Sequence, residues 1–395
     1  MSFADVLKRH KGIGPGFDFL RVFLAITIVM YHSCLQTKNN QLLYDTPFWF
    51  SAYALVPMFF MLSGFLVAGS GMRLSLGNFL INRGLRIVPA LGVDIFVCAL
   101  IIGPIFTTLD LSKYFTNHEF HTYFLNITGW IHYTLPGVFR GHPMPSVNGA
   151  LWTVPYEIGC YAILSGFIAT GFLKRPRYVA IAIVGMFAIG LLADTTGILQ
   201  RAPHLVADTI HFVFVSRGAG LLVAFLIGVW AYQLRDKIPY DRAILAAAIV
   251  ICLVASLVLD RGSIGHVPTR LLVYPALAYI TIFIGVTPVP IPKFFHTGDY
   301  SYGIYLYHVP ILQCVIALFP ALALAEGWGP AFTFVVAAPV VGLVAFTSWH
   351  LVEKPVLALR KKFSFVARVR DLGETTTQGA IGAAPVRSTE TPTTT

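Results

Sequence analysis

The sequence predicts an all-α, polytopic membrane protein with about ten transmembrane helices and both termini in the cytoplasm. Of its 395 residues, 56% are hydrophobic and 12% are charged, and the mean hydropathy is +0.73, an apolar content beyond that of a soluble domain. The apolar residues fall into runs of about 20, the length of helix that crosses the hydrocarbon of a bilayer. The Lys and Arg residues are uneven between loops. With Lys8, Arg9 and Lys11 inside, Arg73, Arg83, Lys174, Arg175, Arg177, Arg235, Lys237, Arg242, Lys293 and the tail also fall inside, about twenty cations against about seven outside. That bias orients the chain and accounts for a net charge of +10 without a nucleic-acid partner.

Residues 1–16 are expected to form a cytoplasmic segment, 17–360 one transmembrane domain, and 361–395 a polar, Thr-rich, disordered tail. The spans are expected near 17–36, 48–70, 85–107, 150–171, 178–194, 216–234, 242–260, 268–286, 299–319 and 330–352. The first run is retained rather than cleaved as a signal peptide, because Asp18 and Arg21 interrupt it and no small-residue cleavage site follows. The stretch at 108–149 is long for a connection, and an external segment of that size is expected to cover a substrate entrance. It holds His118, Glu119 and His121, which lack the longer spacing of a zinc protease helix, so no metal is expected there. The five cysteines are dispersed one to a helix and read as small core residues.

Chemistry enters through ionisable side chains inside apolar runs, where a charge costs a few kcal/mol or more and is retained facing a polar interior. Arg21 and His32 lie eleven residues apart in the first run, about 16 Å and three helical turns, so they project from one face at two depths. Asp18, one turn from Arg21, is placed to pair with it. Taken singly, Arg21 is equally an interfacial Arg reaching the headgroups, and His32 a hydrogen-bonding group within a bundle. Arg83 and Arg86 fall one turn apart at the start of the third run, where a helix N-terminus favours anions and two guanidinium forks suit a phosphate. Ordinary orientation charge explains them too. Ser63-Gly64 reads as a close-packing pair in the second run, Glu157 as a carboxylate needing a partner two turns into the fourth, and His308, beside Pro310, as a second mid-bilayer imidazole.

The series Asp18-Phe19-Leu20-Arg21 with His32, Phe59-Phe60-Met61-Leu62-Ser63-Gly64-Phe65, Arg83-Gly84-Leu85-Arg86-Ile87-Val88-Pro89-Ala90, Leu151-Trp152-Thr153-Val154-Pro155-Tyr156-Glu157, Ser301-Tyr302-Gly303-Ile304-Tyr305-Leu306-Tyr307-His308 and Glu353-Lys354-Pro355 resembles, in order, the motifs of the acyltransferase 3 family, integral membrane O-acyltransferases with an Arg-x10-His signature. The resemblance covers residues 17 to about 360. It implies transfer of an acyl group, acetyl by family habit, from cytoplasmic acyl-CoA to a hydroxyl of an extracytoplasmic or membrane-linked carbohydrate, in the inner membrane of a bacterium. His32 would be the catalytic histidine and Arg21 its motif partner, while Arg83 and Arg86 would contact CoA phosphates. Ser63 is assigned with them to the CoA site, Glu157 to orienting His32 or binding the sugar, and Trp152 and His308 to the acceptor. Relatives often append a secreted hydrolase-like domain; this chain is expected to lack one, so its acceptor reaches the membrane core directly or a polysaccharide-synthesis partner relays the acyl group. Two other classes fit the same polar interior: a transporter or flippase for a glycan or anionic lipid, and a noncatalytic scaffold of a polysaccharide-synthesis complex. Neither needs acyl-CoA.

Overall fold

A computed structural model describes residues 1–10, 12, 14–259, 266–289 and 298–360. Among the described residues the architecture is all-α, with two isolated β-bridges and no strand. The principal helices are α1 (Phe3–Arg9), α2 (Phe17–Gln36), α3 (Ser51–Gly71), α4 (Leu76–Phe106), α5 (Val154–Ala169), α6 (Pro176–Thr195), α7 (His204–Val215), α8 (Ala219–Gln233), α9 (Arg242–Val258), α10 (Val267–Val286), α11 (Ser301–Leu318) and α12 (Gly329–Ala358). Each of the expected apolar runs is helical. Among the described residues, seven helices are long and apolar enough to cross a bilayer unaided, and an eighth crossing results if α7 and α8, bent by 42° at their junction, make one span. At 16 and 17 residues, α5 and α9 are shorter than each of those seven. Lys11, Lys293 and the tail from residue 361 lie outside the described residues.

Local chemistry sets several ends. Ser2 and Asp5 close a reciprocal capping box on α1, and the side-chain oxygens of Ser75 and Asp241 accept backbone N–H groups at the starts of α4 and α9. Helix α4 begins ahead of its expected span, at Leu76 behind the Ser75 cap, and continues through Pro89 and a π-turn at Cys98–Ile102 to Phe106. In α11, Pro310 has no N–H to give the carbonyl of Leu306, and Asn148 Nδ2 donates to that carbonyl at 3.0 Å instead.

The expected external loop is a built cap. It contains two short helices, Leu111–Thr116 and His118–Tyr123, whose buried Tyr114 donates to the carbonyl of Ala99 at 2.7 Å. Glu119 pairs with Arg140. Gln313 of α11 donates to the carbonyls of Met144 and Ser146 at 2.6 and 2.7 Å, and His142 Nδ1 lies 2.7 Å from its Oε1. Buried Asn148 donates to Asp94 of α4 at 2.8 Å, fastening the end of the cap to two spans.

Helix α8 is the central element, buried at every position from Ala219 to Val229. It packs closely on α3, because lipid supplies no hydrophobic drive between helices and small residues let backbones approach. A Cβ added at Gly64 would lie 2.0 Å from the carbonyl oxygen of Phe225, and one at Gly228 would lie 2.0 Å from that of Met61. Of the pair Ser63-Gly64, Gly64 therefore makes the close packing that its composition predicts. Gly228→Val should lower stability by about 1–3 kcal/mol or prevent folding, whereas Gly84→Ala, whose Cβ meets open space, should leave the melting temperature in detergent unchanged or slightly raised.

Candidate active site

Helices α2, α3, α4, α5 and α11 enclose a cavity of about 310 Å³. Along α3 it extends from Ser70, at the end where α2, α4 and α11 begin, to Val56, about 21 Å of helix. Five of the residues singled out in the sequence line it: Arg21, Ser63, Arg83, Arg86 and Glu157.

The part of this cavity lined by Arg21, Arg86 and Asp299 rests on an ion-pair network. Arg86 donates from Nη2 to Asp299 Oδ2 at 2.7 Å and from Nη1 to Glu353 Oε2 at 2.9 Å, with its guanidinium over the rings of Tyr302 and Trp349 at 5.3 and 5.8 Å. Arg21 reaches the same Asp299 oxygen at 3.1 Å and the expected Asp18 at 3.6 Å. Asp299 lies just ahead of α11. Burial alone would raise its carboxyl, but Arg86, Arg21 and the Ser301 hydroxyl outweigh that and hold it down at about 2. The charge of Arg86 is thus matched internally.

Arg83 is held differently. Its Nε is buried with no hydrogen-bond partner, and its guanidinium lies 6.0 Å from the ring of Tyr161. Arg83 lines the cavity without an ion pair among the described residues, which leaves its guanidinium charge to face an anion there. Glu157, on the same cavity, accepts from Tyr161 Oη at 3.0 Å.

Phe59, Thr153 and Tyr305 also line the cavity. Tyr305 Oη lies 2.9 Å from Thr153 Oγ1, and its ring lies 6.2 Å from Phe59 and 5.8 Å from His308. Beyond it stand the two histidines. His308 is fully buried, its Nε2 is 3.1 Å from His32 Nδ1, and the same His32 atom is 3.0 Å from the carbonyl of Ile28. Neither ring lines the cavity.

The structure therefore brings His32 to His308, a juxtaposition absent from the sequence reading, and places Glu157 among the arginines. Trp152 sits apart from both groups, under the guanidinium of Arg217 at 5.4 Å and on the wall of a wide cleft of about 720 Å³ with Trp130, Tyr133, Tyr156 and Phe212. Sequence reasoning missed Asp299 and Arg217 outright. It quoted Glu353 and Tyr302 within motifs without assigning them a role; the signal for Asp299 was a carboxylate directly preceding the Ser301 motif.

Removing Arg86 strands a buried Glu353 carboxylate, whose side chain is 2% exposed. Arg86→Ala should cost about 3–5 kcal/mol of stability, partly recovered by adding Glu353→Gln, whereas Arg83→Ala should stay within about 1 kcal/mol of the parent by thermal unfolding in detergent.

A family model for an acyltransferase domain matches residues 15–350. The chain is 28% identical over 380 residues to Nodulation protein 10 of Rhizobium leguminosarum bv. viciae, covering 91% of this chain and 97% of that protein. It is 24% identical over 356 residues to the O-acetyl transferase of Shigella phage Sf6, covering 86% and 95%. With the peptidoglycan O-acetyltransferase OatA of Listeria monocytogenes it shares 22% over 327 residues, 75% of this chain and 49% of that longer protein. No solved structure matches the chain. With its motifs in order on the helices that build one cavity, and the family model spanning residues 15–350, the chain belongs to the acyltransferase 3 family.

Proposed function

We propose that the protein is an acyl-CoA-dependent O-acetyltransferase of the bacterial inner membrane, acting on a hydroxyl of a carbohydrate outside the cytoplasm. The observation that carries this reading is the cavity itself, lined by Arg83, which has no ion pair among the described residues, and by Tyr305, with a histidine pair beyond the Tyr305 ring. Two relatives named as O-acetyltransferases, one of them of peptidoglycan, support the acetyl group and the carbohydrate class. The Lys and Arg bias of the loops supports a cytoplasmic position for the arginine end of the cavity, the side from which acyl-CoA would enter.

In this reading Arg83 takes the phosphate contact, with Arg86 on the same wall holding Asp299 and Glu353 in place. Ser63 and Glu157 offer hydrogen bonds to the amides of the pantetheine arm, which spans most of the distance to His32. His32 takes the proton of the acceptor hydroxyl as that oxygen attacks the thioester carbonyl. The C–S bond breaks, the ester forms, and the thiolate leaves with the proton returned from the imidazolium. A transient acyl-enzyme on His32 fits the same residues. Trp152 belongs to the acceptor side, in an aromatic cleft suited to sugar faces.

Acyl-CoA turnover by the full chain in nanodiscs, read as released thiol, tests this. The parent should release thiol, His32→Ala should bind acyl-CoA without turnover, and Arg83→Ala should raise KM by about 10- to 100-fold at little cost in kcat. Failure of the folded parent to bind or cleave acyl-CoA would overturn the reading in favour of a glycan or lipid transporter.

A further inference from the structure

We propose that His308 is the positioning residue for His32, holding it as the tautomer with hydrogen on Nδ1 and a bare lone pair on Nε2. The inference deepens the reading of His32 as the base and follows from three contacts taken in order. His308 Nδ1 lies 2.6 Å from the carbonyl oxygen of Tyr305. A carbonyl only accepts, so Nδ1 of His308 carries the hydrogen, and on a neutral ring Nε2 is then an acceptor. That acceptor lies 3.1 Å from His32 Nδ1, which also faces the carbonyl of Ile28 at 3.0 Å. Both neighbours of His32 Nδ1 accept, so this nitrogen must donate, shared between them. The lone pair of the neutral ring is left on Nε2, the nitrogen free to take a proton.

A carboxylate commonly fixes a catalytic imidazole in this way. Here a second neutral imidazole does so, which avoids placing another charge in the apolar interior, where an ionised group is expensive. When His32 takes a proton at Nε2, its Nδ1–H bond to His308 becomes charge-assisted and shorter, so the contact favours the protonated ring that forms during transfer. The backbone around His308 is set for the task. Asn148 supports the Leu306 carbonyl left open by Pro310, and the Tyr305 side chain is held by Thr153.

The experiment is nitrogen NMR of histidine-labelled full-length protein in nanodiscs, with His32 assigned by His32→Asn, alongside thiol-release kinetics. In the parent, His32 should show the Nδ1–H pattern. His308→Leu should lose that pattern and lower kcat by about 100-fold or more with KM for acyl-CoA unchanged. His308→Gln, which can present a carbonyl oxygen to His32 Nδ1, should keep the pattern and restore kcat to within about 10-fold of the parent. An Nε2–H pattern in the parent, or a pattern unaltered in His308→Leu, overturns the proposal. If His308→Leu does not fold, the parent spectrum and the Gln variant decide it: failure of Gln to keep the pattern overturns the proposal. The spectrum reports the tautomer without turnover, so a parent with the Nδ1–H pattern in which His32→Asn remains active would sustain the positioning contact while removing His32 as the base.

Discussion

A guanidinium cannot stand alone in hydrocarbon, and the way Arg86 is neutralised organises the end of the bundle where α2, α4 and α11 begin. Asp299 and Glu353 come from segments 213 and 267 residues away in the chain, and the same Asp299 oxygen also binds Arg21. One cluster thereby ties α2, α4, α12 and the approach to α11. Aromatic faces on two sides complete its enclosure. With Arg86 and Arg21 matched internally, Arg83 stands beside them on the cavity wall without an ion pair among the described residues.

The cavity owes its shape to a second constraint, close approach without a hydrophobic drive. The crossing at Gly64 and Gly228 brings α3 and α8 into backbone contact. Ser63, next to the crossing, faces the cavity from the same helix. Phe59 and Tyr305 line the cavity, with His308 next to the Tyr305 ring. The arginine cluster and the histidine pair thus lie in two regions, with the Tyr305 ring on the cavity wall beside His308 and the backbone of α11 joining them.

Much of this was legible in the sequence. The apolar runs marked the helices because span length and composition are properties of each segment alone. The eleven-residue spacing put Arg21 and His32 on one helix, and the Arg83 and Arg86 pair was visible as a single turn. What the spacing could not say is which side chain meets which. Arg83 and Arg86 read as equivalents, and only the arrival of Asp299 and Glu353 from distant segments separates their roles. Glu157 suited His32 by depth alone, yet the azimuth of α11 delivers His308 to it. The bend between α7 and α8 was equally hidden, because the run from 216 begins near the break and the apolar residues of 204–215 are too few for a span of their own and are interrupted by Asp208 and His211. The long segment at 108–149 was visible by length, while its order depends on bonds to Asp94, Ala99 and Gln313 on the spans beneath.

The central claim is that one passage carries an acyl donor from the open arginine to the histidine pair. The most direct measurement is a structure of the full chain in a nanodisc with CoA bound. The account predicts the phosphates beside Arg83, the arm along α3 past Ser63, and the sulfur within about 4 Å of His32 Nε2 once Tyr305 has turned aside. CoA bound elsewhere on the protein, or bound in this cavity with its sulfur directed away from His32, would contradict it.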